Sequence, residues 1–298
     1  MEHSAVQKRM SAASSRIATH RARDGLELTV ECYGEPLQPA LLYTHGFGQS
    51  RVAWHNSALN LAEAGWPGIS LDGRGHGDSG WSPDGEYSLD HFLDDLRSVT
   101  ASLPEKPVLI GASMGGLLGI MSEGESAGQF RAMVLVDVTP RWESAGVDRI
   151  LSFMSAHPLG FDSLQEAADA ISQYLPHRER KNPERLRTQL RESSNGRWRW
   201  HWDPKLLAQV GEDIERHVPR LQAAAAKIQI PVLLLSGGRS DVISHKTIAE
   251  FLELVPHAEH VQIEDATHMV VGDRNDAFTR EILSYLGRLK APDVRKEP

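Results

Sequence analysis

A single cysteine, Cys32, occurs among 298 residues, so no internal disulfide can staple this chain. Stability must come from a packed core, and the length is ample for one. Cys32 lies in Leu28-Thr-Val-Glu-Cys-Tyr33, which alternates like a strand, and no glycine turn presents it. It reads as a packing residue rather than a nucleophile. Basic residues are also in deficit. Thirty-two Lys and Arg against 40 Asp and Glu leave a formal charge of −8, which speaks against a nucleic-acid partner. Long apolar runs are missing. The first twenty residues hold no stretch suited to a signal peptide, and no later stretch reaches transmembrane length. The expectation is a soluble cytoplasmic protein without a membrane partner. Small and polar residues at 1–24 suggest a loose N-terminal tail, and the charged, proline-bearing end suggests a second tail at 289–298. The run Arg178-Glu-Arg-Lys181 mixes signs and reads as solvated surface.

Two cofactor signatures are absent as well. The loop Asp72-Gly-Arg-Gly-His-Gly-Asp-Ser79 is rich in glycine, yet it has neither a Gly-Lys-Ser/Thr ending nor Gly-x-Gly-x-x-Gly spacing. Nucleotide binding has no support there. Arg74 and His76 are expected to tie loops together through carboxylates or carbonyls. The histidines are scattered without metal-ligand spacing, so no metal and no other cofactor is expected.

What is present is a series of short apolar runs. They are Ala40–Thr44, Gly68–Leu71, Pro107–Ile110, Ala132–Asp137, Pro231–Ser236 and His260–Ile263. The central ones are apolar on both faces, as a helix-covered parallel sheet requires. Residues 89–99 and 277–286 carry apolar residues at helical spacing between and after these runs. The fold class is α/β. Residues 140–225 interrupt the pattern with charges, tryptophans and six prolines that cut it into short pieces. They read as a helical cap inserted into a core made of 25–139 and 226–288. Aromatic residues are only 6% of the chain, yet Trp198, Trp200 and Trp202 stand at alternate positions of this cap. In an extended segment the three share a side. They are candidates for the pocket wall or for cap packing.

The chemistry begins at Val108-Leu-Ile-Gly-Ala-Ser-Met-Gly-Gly116, an apolar run ending in Gly-x-Ser-x-Gly. This places Ser113 on a sharp strand-to-helix turn that only glycine neighbours permit. A second copy, Gly124-Glu-Ser-Ala-Gly128, has no strand before it and a strand after it, so Ser126 reads as a loop serine. A serine nucleophile needs a base and a site for negative charge. His268 follows the last apolar run and is the candidate base. Asp241, after Pro231–Ser236, is the preferred acid. Asp137, which ends its own run, is the alternative; Asp265 shares the loop of His268. Strand ends on one sheet edge bring such distant residues together. The oxyanion donors expected are the backbone N–H groups of Met114, at the helix start, and Phe47, in His45-Gly-Phe-Gly48. His45, tight against glycine, reads as structural.

Taken together, these motifs resemble the α/β-hydrolase superfamily. The resemblance rests on His45-Gly-Phe-Gly48, Gly111-Ala-Ser-Met-Gly115, and Asp241 followed by His268, and spans roughly 25–288. The Asp72–Ser79 loop is similar to one in the epoxide hydrolase, haloperoxidase-like and esterase branches. The resemblance implies an eight-stranded, mostly parallel sheet with an inserted cap, and a Ser113–Asp241–His268 triad. Epoxide and haloalkane hydrolases use an aspartate nucleophile, so Ser113 favours the serine esterase and cofactor-free haloperoxidase-like branch. The expected function is a carboxylic-ester hydrolase working through an acyl-enzyme on a small or medium ester. Alternatives are a lactone hydrolase, a perhydrolase, a carbon–carbon bond hydrolase, or a ligand-binding protein without catalysis. The expected partner is therefore a small-molecule ester or lactone. The sequence assigns no oligomeric state.

Overall fold

Apolar runs too short for a helix become strands where both faces are covered. In the computed structural model, which describes residues 14–34, 41–176, 178, 182–207 and 214–290, the runs form β3 (Leu41–Thr44), β4 (Gly68–Leu71), β5 (Val108–Ala112), β6 (Ala132–Val136), β9 (Val232–Gly237) and β10 (Glu259–Ile263). Two further strands, β1 (Ser15–Arg21) and β2 (Glu27–Tyr33), complete an eight-stranded sheet of order β1-β2-β4-β3-β5-β6-β9-β10. Strand β2 is antiparallel to both neighbours, and the pairs from β4 through β10 are all parallel.

Side-chain alternation divides the core into two layers. Leu109, Met133, Leu135, Val232 and Leu234 face one side. Val108, Ile110, Val134, Leu233 and Leu235 face the other. The first layer is covered by α2 (Leu89–Ala101) and α3 (Met114–Glu125), the second by α1 (His55–Glu63) and the C-terminal helix Asn275–Lys290. Burial on both faces is why these strands read as continuous apolar runs.

Three expectations change. Residues 15–21, expected within a loose tail, pair along their whole length with β2; residues 1–13 lie outside the described residues. At the other end the last helix reaches Lys290, and 291–298 lie outside the described residues. The cap is helical in α4 (Ser144–Ser155) and α5 (Leu164–Tyr174), but it also carries an antiparallel hairpin of β7 (Leu190–Glu192) and β8 (Trp198–Trp200). The helix Val218–Ala225 packs back on α3, where a Cβ on Gly124 would run into the backbone of Ala224. The glycine of the second Gly-x-Ser-x-Gly therefore serves helix packing, and Ser126 ends α3 before the loop into β6.

Candidate active site

Ser113 stands between the end of β5 and the start of α3, with φ +45° and ψ −118°. A non-glycine residue in this region stores roughly 1–3 kcal/mol of strain, held only where the surroundings fix it. Here its N–H donates to Val136 O at 3.1 Å, and its carbonyl accepts from Gly116 and Leu117. The flanking glycines are required by contact. A Cβ on Gly111 would lie 2.8 Å from the Gly115 backbone, and one on Gly115 would lie 2.5 Å from Thr44 O.

The loop after β3 closes against this turn. A Cβ on Gly46 would sit 3.3 Å from the Ser113 Cβ. Neither the N–H of Phe47 nor that of Met114 has a protein acceptor among the described residues. Both residues line the cavity that Ser113 opens into. These are the two N–H groups expected as donors to developing negative charge.

His268 lines the same cavity, and its Nδ1 lies 2.7 Å from Asp137 Oδ2. The carboxylate on His268 belongs to Asp137, not to Asp241 as the sequence led us to expect. Asp241 instead pairs with Arg149 of α4 at 2.8 Å, with both side chains substantially exposed. Asp265 pairs with Arg239 and Arg274 on the surface. Asp137 is fully buried and, like Ser113, has a left-handed backbone, φ +50°. Its Oδ1 accepts from Gly237 N at 2.8 Å, and its Oδ2 accepts from Ser240 Oγ at 2.5 Å. Both oxygens of this buried carboxylate are thus met by donors.

The glycine loop 72–79 holds the 45–49 loop and the cap together. Gly73 N donates to His45 Nε2 at 2.9 Å, leaving His45 Nδ1 to donate to Gly46 O at 2.8 Å. Gly48 N donates to His76 Nε2 at 3.1 Å, and His76 Nδ1 donates to Arg74 O at 3.0 Å. Arg74 is bidentate on buried Asp95. From the cap, His201 Nδ1 accepts from Gly77 N at 2.9 Å, and Arg191 reaches Gly77 O and Asp78. Each of the three imidazoles accepts from a backbone N–H, so each is neutral.

Burial lowers the pKa of His45, lowers that of His76 well below 6.5, and brings that of His201 to about 3. The folded state thus binds fewer protons than the unfolded chain. Stability is fully present above pH 6.5 and falls as pH drops toward 3. Each histidine held neutral costs ~1.4 kcal/mol per pH unit below 6.5. The urea midpoint is expected to fall clearly between pH 7 and pH 5, above the usual carboxylate range. A midpoint constant over that interval would show that these rings are not buried neutral.

The cavity measures about 1080 Å³. Its core side is lined by Phe47, Met114, Leu117 and Met121, its cap side by Phe153, Met154, Trp200 and Trp202. Trp200 and Trp202 stack at 4.8 Å with 10° between planes. Trp198 packs in the cap's own core, under the Arg187 guanidinium. Two of the three tryptophans therefore reach the pocket, and the third is structural.

Several site residues carried no sequence signal. Ser240 stands next to the expected acid. Gln49 accepts from Gly46 N and donates to Met269 Sδ, bridging the loop after β3 and the loop of His268. Arg178 is not solvated surface: its Nε binds Asp273 Oδ1 at 2.5 Å, its Nη2 binds Met269 O, and Asp273 also holds Thr267. Residues 179–181 of that charge run lie outside the described residues. Among the described residues no group of three or more His, Cys, Asp or Glu is arranged to hold a metal ion.

Residues 41–281 match the alpha/beta hydrolase family. The chain is 28% identical over 260 residues to the esterase Rv0045c of Mycobacterium tuberculosis, covering 83% of each chain. It is 26% identical to a 3-hydroxybutyrate-oligomer hydrolase of Cupriavidus necator, covering 79% of this chain and 85% of that one. The solved Rv0045c structure superposes with a TM-score of 0.75 at 25% identity, over 93% of both chains. That of E-2-(acetamidomethylene)succinate hydrolase superposes with a TM-score of 0.78 at 21% identity, over 91% of this chain and all of the other, which is a likeness of fold. With the family match spanning most of its length and a strained serine at the strand-to-helix turn of an eight-stranded, capped sheet, this chain belongs to the alpha/beta hydrolase family.

Proposed function

We propose that the protein is a cofactor-independent carboxylic-ester hydrolase in which Ser113, His268 and Asp137 form the triad. The observation that carries this reading is the pairing of His268 Nδ1 with a buried carboxylate, on the wall of the cavity that Ser113 opens into. With Nδ1 committed to Asp137, Nε2 is the nitrogen that serves Ser113. His268 takes the Ser113 proton as Oγ attacks the ester carbon, and the imidazolium is stabilised by Asp137. The N–H groups of Phe47 and Met114 receive the oxyanion. Collapse expels the alcohol, which takes the proton from His268. A water, deprotonated by the same ring, then releases the acid from Ser113.

The esterase and the oligomer hydrolase among the relatives support hydrolysis of an ester bond. Turnover of p-nitrophenyl esters from acetate to decanoate tests the reading. Hydrolysis with a burst of one p-nitrophenol per site is expected, and folded protein inert to every chain length would contradict it.

An apolar, aromatic wall favours an apolar acyl or aryl group. Trp200→Ala is expected to lower kcat/KM for the octanoate ester roughly tenfold more than for the acetate, the loss of ~1.4 kcal/mol of acyl-chain contact. An unchanged octanoate-to-acetate ratio would remove Trp200 from substrate selection.

A further inference from the structure

The carboxylate of Asp137 carries a bond that the triad does not account for. Its Oδ2 accepts from His268 Nδ1 and also from the hydroxyl of Ser240, at 2.5 Å. The direction of that hydroxyl is fixed. The backbone N–H groups of Val242 and Ile243 donate to Ser240 Oγ at 3.2 and 3.3 Å, which occupies its lone pairs. Its one proton is left for the carboxylate. The last residue of β9 supplies Gly237 N to Oδ1. The end of β9 and the loop after it therefore meet Asp137 with an amide and a hydroxyl, while the loop's own carboxylate, Asp241, turns away to Arg149. Ser240 does not line the cavity.

We propose that Ser240 is a positioning residue for the acid–base pair, acting on His268 through Asp137; this rests on the esterase reading above. Two physical effects follow from a charge-assisted bond to the oxygen shared with the imidazole. The bond fixes the rotation of the carboxylate, so that Oδ2 stays in the plane His268 needs. It also disperses the charge on that oxygen, which keeps the imidazolium from being held too tightly to give its proton to the leaving alcohol. Ser240 keeps its proton throughout the cycle and touches no substrate. Without it, Oδ2 places its full charge on His268, and the ring holds its proton to higher pH.

The experiment compares Ser240→Ala and Ser240→Thr with the unaltered protein on p-nitrophenyl butyrate. Rates are expressed per active site titrated with a phosphonate, and kcat/KM is followed across pH. Ser240→Ala is expected to lower kcat roughly tenfold, the worth of one hydrogen bond to a charged group. KM stays within about twofold, because nothing that touches substrate has changed. The acid limb of kcat/KM moves to higher pH, and Ser240→Thr restores both rate and limb. An alanine variant with unchanged kcat overturns the proposal. So does a slower variant whose acid limb stays in place or moves to lower pH, and so does a threonine variant as slow as alanine. If the alanine variant does not accumulate folded, Ser240→Cys, a similar shape with a weak donor, carries the same expectations. Asp137→Asn in the same assay separates the two levels: full activity there would defeat the triad assignment itself.

Discussion

Ser113→Ala is expected to lower kcat on the order of 10⁶-fold while leaving the fold intact. The magnitude follows from the role proposed for the side chain: without Oγ there would be no acyl-enzyme, and His268 would have no nucleophile to deprotonate. The remaining rate is that of water attacking an ester held against the Phe47 and Met114 amides. Alanine keeps the backbone and carries no atom beyond Cβ, so the close packing of Gly111 and Gly115 is undisturbed. The strain at φ +45° persists, and stability should change little. Active-site-titrated kinetics on p-nitrophenyl butyrate, beside urea unfolding of the same preparation, checks both halves. A variant retaining more than a few per cent of kcat would place the nucleophile elsewhere.

Asp137→Asn is expected to lower kcat by about 10⁴-fold. An amide cannot neutralise the imidazolium, and its NH₂ group, turned toward His268, would favour the wrong tautomer. The comparison variant is Asp241→Asn. Its carboxylate is half exposed and bound to a half-exposed Arg149, a pair worth at most about 1 kcal/mol of stability. Its kcat should stay within about threefold of the unaltered protein. If Asp241→Asn is the crippled variant and Asp137→Asn is near normal, the acid assignment reverses.

The choice between these two aspartates marks where sequence reasoning stops. Both follow an apolar strand, and nothing in the local pattern separates them. What separates them is strand order. β6 lies between β5, which presents Ser113, and β9, so Asp137 is one strand away from Ser113. Asp241 lies four residues beyond the end of β9 and is drawn outward by the cap. A parallel register is a long-range property, and no window of residues encodes it.

The same logic explains the strands. Those buried on both faces, β3 through β6 and β9, are legible as apolar runs, with ends displaced by a residue or two. β1 is an edge strand with mostly exposed side chains, so Ser15–Arg21 shows no core pattern, and its place depends on pairing with β2. The hairpin of β7 and β8 is equally hidden, because strands of three residues leave too few positions for a period to show. Ser113 and the glycines of its turn are legible for the opposite reason. A strained turn limits which residues can stand beside it, and that limit is local.

The most direct measurement is covalent labelling of the unaltered protein with a fluorophosphonate, followed by intact mass and peptide mapping. The account predicts one adduct per chain, on Ser113, with loss of esterase activity in proportion to labelling and no adduct in Ser113→Ala. An adduct on another residue that abolishes activity, or full turnover by protein labelled at Ser113, would contradict it.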